Sequence, residues 1–159
     1  WFRNTWSWGA IPEESTNKPS ITLERDNLVR AQHDVLGNYQ LAFEGKATPL
    51  FTENETNSAR IHNYANGQQF VKDAFHEYVV HGRNDAVNPQ NTGTKFAAHY
   101  LLEIEPGKSE VVRLRLSATD EAPLDPFAGF EDGGHHRHGY QHLDERESAA
   151  AAGCRAANL

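Results

Sequence analysis

The chain has 159 residues and a formal charge of −7, from 15 Lys and Arg against 22 Asp and Glu. That balance disfavours nucleic-acid and anionic-membrane binding, since both want a basic face. No apolar run approaches the roughly 18 residues of a membrane-spanning helix, and the one cysteine, Cys154, excludes an internal disulfide framework and favours a reducing, cytoplasmic setting.

Position 1 is Trp and the chain contains no Met, so "WFRNTWSWG" at 1–9 reads as the middle of a strand in a longer protein. Trp6 and Trp8 share one face there, because side chains on a strand alternate with period two. A loop rich in Pro, Glu, Ser, Thr and Asn follows from Gly9 to Ser20. "ITLE" at 21–24 and "LVRAQH" at 28–33 are short strands. "YQLAF" at 39–43 places Tyr39, Leu41 and Phe43 on one face between Gly37-Asn38 and Gly45 turns. "PLFTEN" at 49–54 is another strand.

Around "QFVKDAF" the chain is expected to make one helical turn, then a strand at "YVV" (78–80), then a long polar loop from 81 to 94. At 98–117, Tyr100, Leu102 and Ile104 alternate with Leu101, Glu103 and Glu105; Val112, Leu114 and Leu116 alternate with Arg113 and Arg115. With "PGKS" between the two runs, the expectation is an antiparallel hairpin carrying Glu and Arg on its wet face. Many short strands with turn residues between them predict an all-β fold, an antiparallel β-sandwich over 1–130. Residues 131–159 have no strand period and predict a poorly ordered or helical C-terminal tail outside the core, with a weakly anchored helix at 144–157.

Several polar groups invite a chemical reading. Glu53 and Glu55 would share a strand face, but a glycosidase pair must grip opposite sides of a scissile bond, which strand neighbours rarely do. A solvated or hydrogen-bonded strand end is the stronger reading. His135, His136, His138 and His142 have the chemistry of metal ligands, yet Gly133, Gly134 and Gly139 break any helix that would align them, and no acid is placed to orient the rings. A solvated stretch is preferred there, and no cofactor is expected. Cys154 has no assignable base. Trp1, Trp6, Trp8 and Tyr39 suit either a core or a sugar-stacking platform, and the core is the commoner fate of such residues.

"FRNTWSWG" (2–9), "LFTENETN" (50–57), "VKDAFHEYVVHG" (71–82), "AVNPQNTGTKFAAHY" (86–100) and "VVRLRL" (111–116) follow in an order that resembles one family. It is the N-terminal β-domain of bacterial glycoside hydrolase family 63 proteins, the glucosidase and mannosylglycerate-hydrolase-like group. The resemblance covers roughly 1–130, and "DPFAGF" (125–130) looks like the exit from the sandwich. It implies a partial super-β-sandwich, begun partway in, that packs against an (α/α)6 barrel carrying the general acid and base of an inverting mechanism on α-linked sugars. None of the family's catalytic residues has a matching position here. After Phe130 the sequence leaves the family's pattern, as a frameshift or assembly artefact in the source gene would make it do, and as a divergent truncated protein would too; the artefact is the preferred reading.

The resemblance also suggests a use for the polar motifs. Asn54, Glu55, Asn57, Lys72, Asp73 and His81 are expected at the interface with the barrel or at the rim of its pocket. The simpler alternative is that they satisfy one another within the sandwich. A rival from another class is a free-standing carbohydrate-binding module. The partners expected are therefore the barrel domain and carbohydrate.

Overall fold

The computed structural model describes residues 2–3 and 17–129. The chain divides into two units at Ala128/Gly129, and the fold below belongs to the first. The expected roles of Trp1, Trp6, Trp8, Cys154, the four tail histidines and the helix at 144–157 lie outside the described residues.

Among these residues the strands are β1 (Phe2–Arg3), β2 (Ser20–Arg25), β3 (Leu28–His33), β4 (Gly37–Phe43), β5 (Thr48–Thr52), β6 (Thr92–Gly93), β7 (Lys95–His99) and β8 (Leu114–Ala118). The helices are α1 (Ser58–Ile61) and α2 (Ala74–His81), with single 3-10 turns at Asn84–Ala86 and Thr119–Glu121. The strands form two antiparallel sheets, one of five strands in the order β6-β2-β3-β4-β8 and one of three in the order β1-β7-β5. This is the β-sandwich that the alternating pattern predicts.

The larger sheet is built on a meander. Asp26 and Asn27 turn β2 into β3, with Asn27 at φ 61°, a left-handed conformation that Asn tolerates better than most residues. His33 stabilises the next turn, its Nδ1 accepting from the backbone N–H groups of Val35 and Leu36, each at 3.1 Å. Register places Ile21, Leu23, Val29, Ala31, Leu41 and Phe43 on the inner face. The outer face carries the Arg30–Glu24 pair, at 2.6 and 2.9 Å. Exposed pairs of this kind contribute little, typically under about 1 kcal/mol.

Ile21, Val29, Ala31 and Phe43 from one sheet meet Phe51 and Phe96 from the other, and these six form the buried apolar cluster between the sheets. Phe96 is its hub, with ring centroids 5.5 Å from Phe43 across the sandwich and 5.1 Å from Phe51 on the neighbouring strand. β6 and β7 are nearly one strand: Gly93 pairs with Ile21 in the larger sheet, and two residues later Lys95 pairs with Thr52 in the smaller. A single segment therefore stitches the sheets together at this end.

Two expectations are corrected. "YVV" is helical, lying within α2, which ends at Gly82 in the left-handed conformation (φ 66°). β-Branched residues tolerate a helix when the termini favour one, and Val79 and Val80 are exposed on it. The 98–117 segment is not a hairpin either. Only Ala98 and His99 at its start belong to a strand, β7 of the three-stranded sheet; residues 100–113 form no strand, and Leu114–Ala118 becomes β8 in the five-stranded sheet, paired with β4. The Pro106–Gly107 turn, closed by Lys108 N–H to Glu105 C=O at 3.0 Å, joins an arch between sheets. Glu44 ties the base of that arch: its carboxylate accepts from Arg113 at 2.9 and 3.2 Å, and its carbonyl from the Tyr100 hydroxyl at 2.7 Å. Burial lifts the Tyr100 hydroxyl above its ordinary pKa, and the Glu44 charge adds to the rise.

Candidate functional site: a polar cluster at the stitched end of the sandwich

Three connections converge where β5 ends: residues 53–57, the turn at 71–73 before α2, and the β6–β7 junction. Thr52 is fully buried and its hydroxyl donates to the Val71 carbonyl at 2.8 Å. The Thr94 hydroxyl accepts from the Asn54 backbone N–H and donates to the Glu53 carboxylate, both at 2.8 Å. Lys18 reaches the same carboxylate at 3.0 Å. Glu53 is thus committed to two partners, a poor state for a general acid or base, which must exchange its proton with a substrate.

Asn57 has two roles. Its Oδ1 caps α1 by accepting from the Arg60 N–H at 3.1 Å, and its Nδ2 donates to both carboxylate oxygens of Asp73 at 3.0 and 3.2 Å. Asp73 also receives Arg60 at 3.2 Å, and Asn66 donates to Asn57 Oδ1 at 3.1 Å. One small network therefore holds the short helix against the start of α2. Replacing Asn57 with alanine removes the cap and strands part of Asp73, so a loss of about 1–2 kcal/mol is expected in urea unfolding. A change below ~0.5 kcal/mol would show the network to be ornamental.

Lys72 donates its backbone N–H to the Glu55 carbonyl at 2.9 Å, and its own carbonyl receives the Lys95 ammonium at 2.6 Å. Lys95 is 8% exposed and lies 4.7 Å from the centroid of the Phe75 ring. A buried ammonium needs such partners, a carbonyl and an aromatic face, to remain charged. Asn54 is the exception to this good satisfaction: it is buried, and its Nδ2 has no hydrogen-bond partner among the described residues.

Of the six expected residues, the structure brings together Asn54, Glu55, Asn57, Lys72 and Asp73. It does not bring His81, which lies exposed in the last turn of α2, its ring edge-on to His76 at 5.2 Å. Sequence reasoning misses Thr94, Lys95 and Asn88, which complete the cluster from a distant segment. Asn88 holds the loop before β6, donating to the Thr92 carbonyl at 2.7 Å. Gly93 is the one signal for that approach, a lone glycine in a strand-like run where backbones come close.

At the opposite end of the sandwich a cleft of about 360 Å³ opens between the sheets, lined by Leu23, Asp26, Phe43, Lys46, Ala47 and Pro49. Its rim is braced by the Asn27 Nδ2 bond to the Gly45 carbonyl at 2.9 Å. Among the described residues no group of three or more His, Cys, Asp or Glu is placed to hold a metal ion. Nor is any helix there long and apolar enough to cross a membrane.

The chain is 36% identical over 143 residues to a Saccharomyces cerevisiae protein, "Uncharacterized protein YMR196W". The match takes in 73% of this chain and 13% of the yeast protein, so the chain spans a small part of that relative's length. No protein-family profile matches the chain. No solved structure matches it significantly.

Proposed function

We propose that this chain is a non-catalytic β-sandwich domain of a glycoside hydrolase acting on α-linked sugars, of the family 63 type, which supports an (α/α)6 catalytic barrel. The ordered motifs quoted above support the family, and the β-sandwich agrees with it. The observation that carries the non-catalytic part is the state of the acids in the polar cluster. Glu53 is engaged by Thr94 and Lys18, and Asp73 by Asn57 and Arg60. These carboxylates hold the connections in place, leaving acid–base work to the barrel.

The isolated chain is expected to leave 4-nitrophenyl α-glucoside and mannosylglycerate unhydrolysed, and to form a 1:1 complex with a family 63 barrel domain supplied in trans. Turnover by the chain that disappears on Glu53→Gln would refute the first point. Light scattering that finds only separate components would refute the second.

A second reading, a free-standing carbohydrate-binding module, is favoured by the cleft at the far end. Its apolar floor, with Asp26 and Lys46 beside it, suits the C–H face and hydroxyls of one sugar ring. Saturation-transfer NMR with maltose separates the readings. A signal abolished by Asp26→Asn would put the module ahead.

A further inference from the structure

Asn66 is the one asparagine in the sequence that a glycine follows. That dipeptide carries its own chemistry. Asparagine is among the thermally labile residues, and a following glycine offers its backbone nitrogen with no side chain in the way. The backbone does not require this glycine. Gly67 is exposed, its φ is outside the left-handed region, and a Cβ there would meet nothing within 4 Å. It lies in the connection between α1 and α2, where Asn66 is half-buried among exposed neighbours.

The Asn66 side chain closes the network around Asn57. Its Oδ1 accepts from the Ala59 N–H at 2.9 Å, and its Nδ2 donates to Asn57 Oδ1 at 3.1 Å. Backbone donors fix the orientation of both amides, since Asn57 Oδ1 also takes the Arg60 N–H. Asn57 is left with its Nδ2 for the two oxygens of Asp73.

We propose that Asn66–Gly67 is a site of spontaneous deamidation, held in check by this network, and that its conversion to an acid frees α1 from the start of α2. The Gly67 nitrogen bonds to Asn66 Cγ, the Cγ–Nδ2 bond breaks, and ammonia leaves carrying the Gly67 amide proton. Water then opens the succinimide at either carbonyl, giving aspartate or isoaspartate. The attack needs the Asn66 side chain to leave Ala59 and Asn57, so the loop must open locally first. Once an acid stands at position 66 the check is gone, because a carboxylate faces Asn57 Oδ1 where a donor stood. Turning the Asn57 amide over would satisfy residue 66 but set its oxygen against the Asp73 carboxylate. The chemistry is the same whether or not the chain belongs to a glycoside hydrolase.

The test incubates the full chain and a synthetic peptide of residues 61–72 in neutral buffer at 37 °C, with tryptic fragments read by mass spectrometry. Asn66 is expected to show the mass gain of –OH for –NH2, while Asn63, followed by Tyr64, does not. The chain should convert roughly tenfold more slowly than the peptide, the factor that about 1.4 kcal/mol of opening free energy gives. Asn57→Ala should remove most of that slowing; Phe96→Leu, which weakens the core and leaves the network alone, should not. Gly67→Ala should slow conversion sharply in chain and peptide alike, with the urea midpoint unchanged. In ¹⁵N-labelled Asn66→Asp, exchange should quicken at the Ile61 and His62 amides, which donate to the Asn57 and Ser58 carbonyls. Conversion of the unaltered chain at the peptide's rate overturns the proposal, as does a rate that Asn57→Ala leaves alone or that Phe96→Leu raises as much. So does an Asn66→Asp chain whose Ile61 and His62 amides stay protected.

Discussion

Replacing Phe96 with alanine is expected to cost about 3–5 kcal/mol, the range for deleting a buried aromatic ring. Phe96 is 1% exposed and touches Phe51 beside it and Phe43 across the sandwich, so its loss empties the contact that holds the two sheets together. Tilted aromatic pairs add something beyond the area they bury. A small domain's whole stability is about 5–15 kcal/mol, so the loss should take a large share of it and lower the urea midpoint markedly. Phe96→Leu should lose well under half as much, because it keeps an apolar side chain in the gap. Urea denaturation followed by tryptophan fluorescence and circular dichroism measures both. Equal losses for the two variants would show that shape, and not filled volume, governs this site.

The second large effect is expected at Gly93. A Cβ there would sit 2.3 Å from the Thr52 carbonyl oxygen and 2.9 Å from its carbonyl carbon. Those atoms are backbone, with no flexible end to swing away. The same carbonyl accepts the Thr94 N–H at 3.1 Å, so the methyl group would press on the bond that joins β5 to the β6–β7 segment. Overpacking usually costs about 1–3 kcal/mol, and Gly93→Ala belongs at or above the top of that range. Chemical shifts should move in both sheets, since Gly93 also pairs with Ile21. A loss below ~1 kcal/mol with shifts confined to one sheet would mean that the sheets separate easily at this end.

Much of the sandwich is legible in the sequence because period two reports directly on a half-buried face. Ile21 and Leu23, then Leu41 and Phe43, alternate with polar neighbours and lie where the pattern puts them. The same signal does not say which strand lies alongside. Tyr100 to Ile104 and Val112 to Leu116 alternate well, and a Pro-Gly turn joins them, yet the first run enters no sheet and the second pairs from Leu114 on with β4. "YVV" fails for a related reason: strand propensity expresses packing on a pleated surface, and the segment pairs with no strand but lies in the helix between Asp73 and Gly82. The polar cluster is half legible. Crowded Asn, Asp and Lys residues mark the place, but the pairing of Asn57 with Asp73, 16 positions on, is a property of the fold. Thr94 comes from 40 positions away, and no local pattern announces it.

The stitched end has a bearing on biosynthesis. The β2–β3–β4 meander closes through turns of two and three residues, which costs little chain entropy. Its apolar face, however, waits for Phe96 on β7, and Phe96 emerges from the ribosome about 50 residues after Phe43. At synthesis rates of roughly 5–20 residues per second that is some 3–10 seconds with Ile21, Val29 and Phe43 in water. Long-range pairing is slow in addition. The step most open to chaperone capture, or to association between nascent chains, is therefore the wait for residues 92–99.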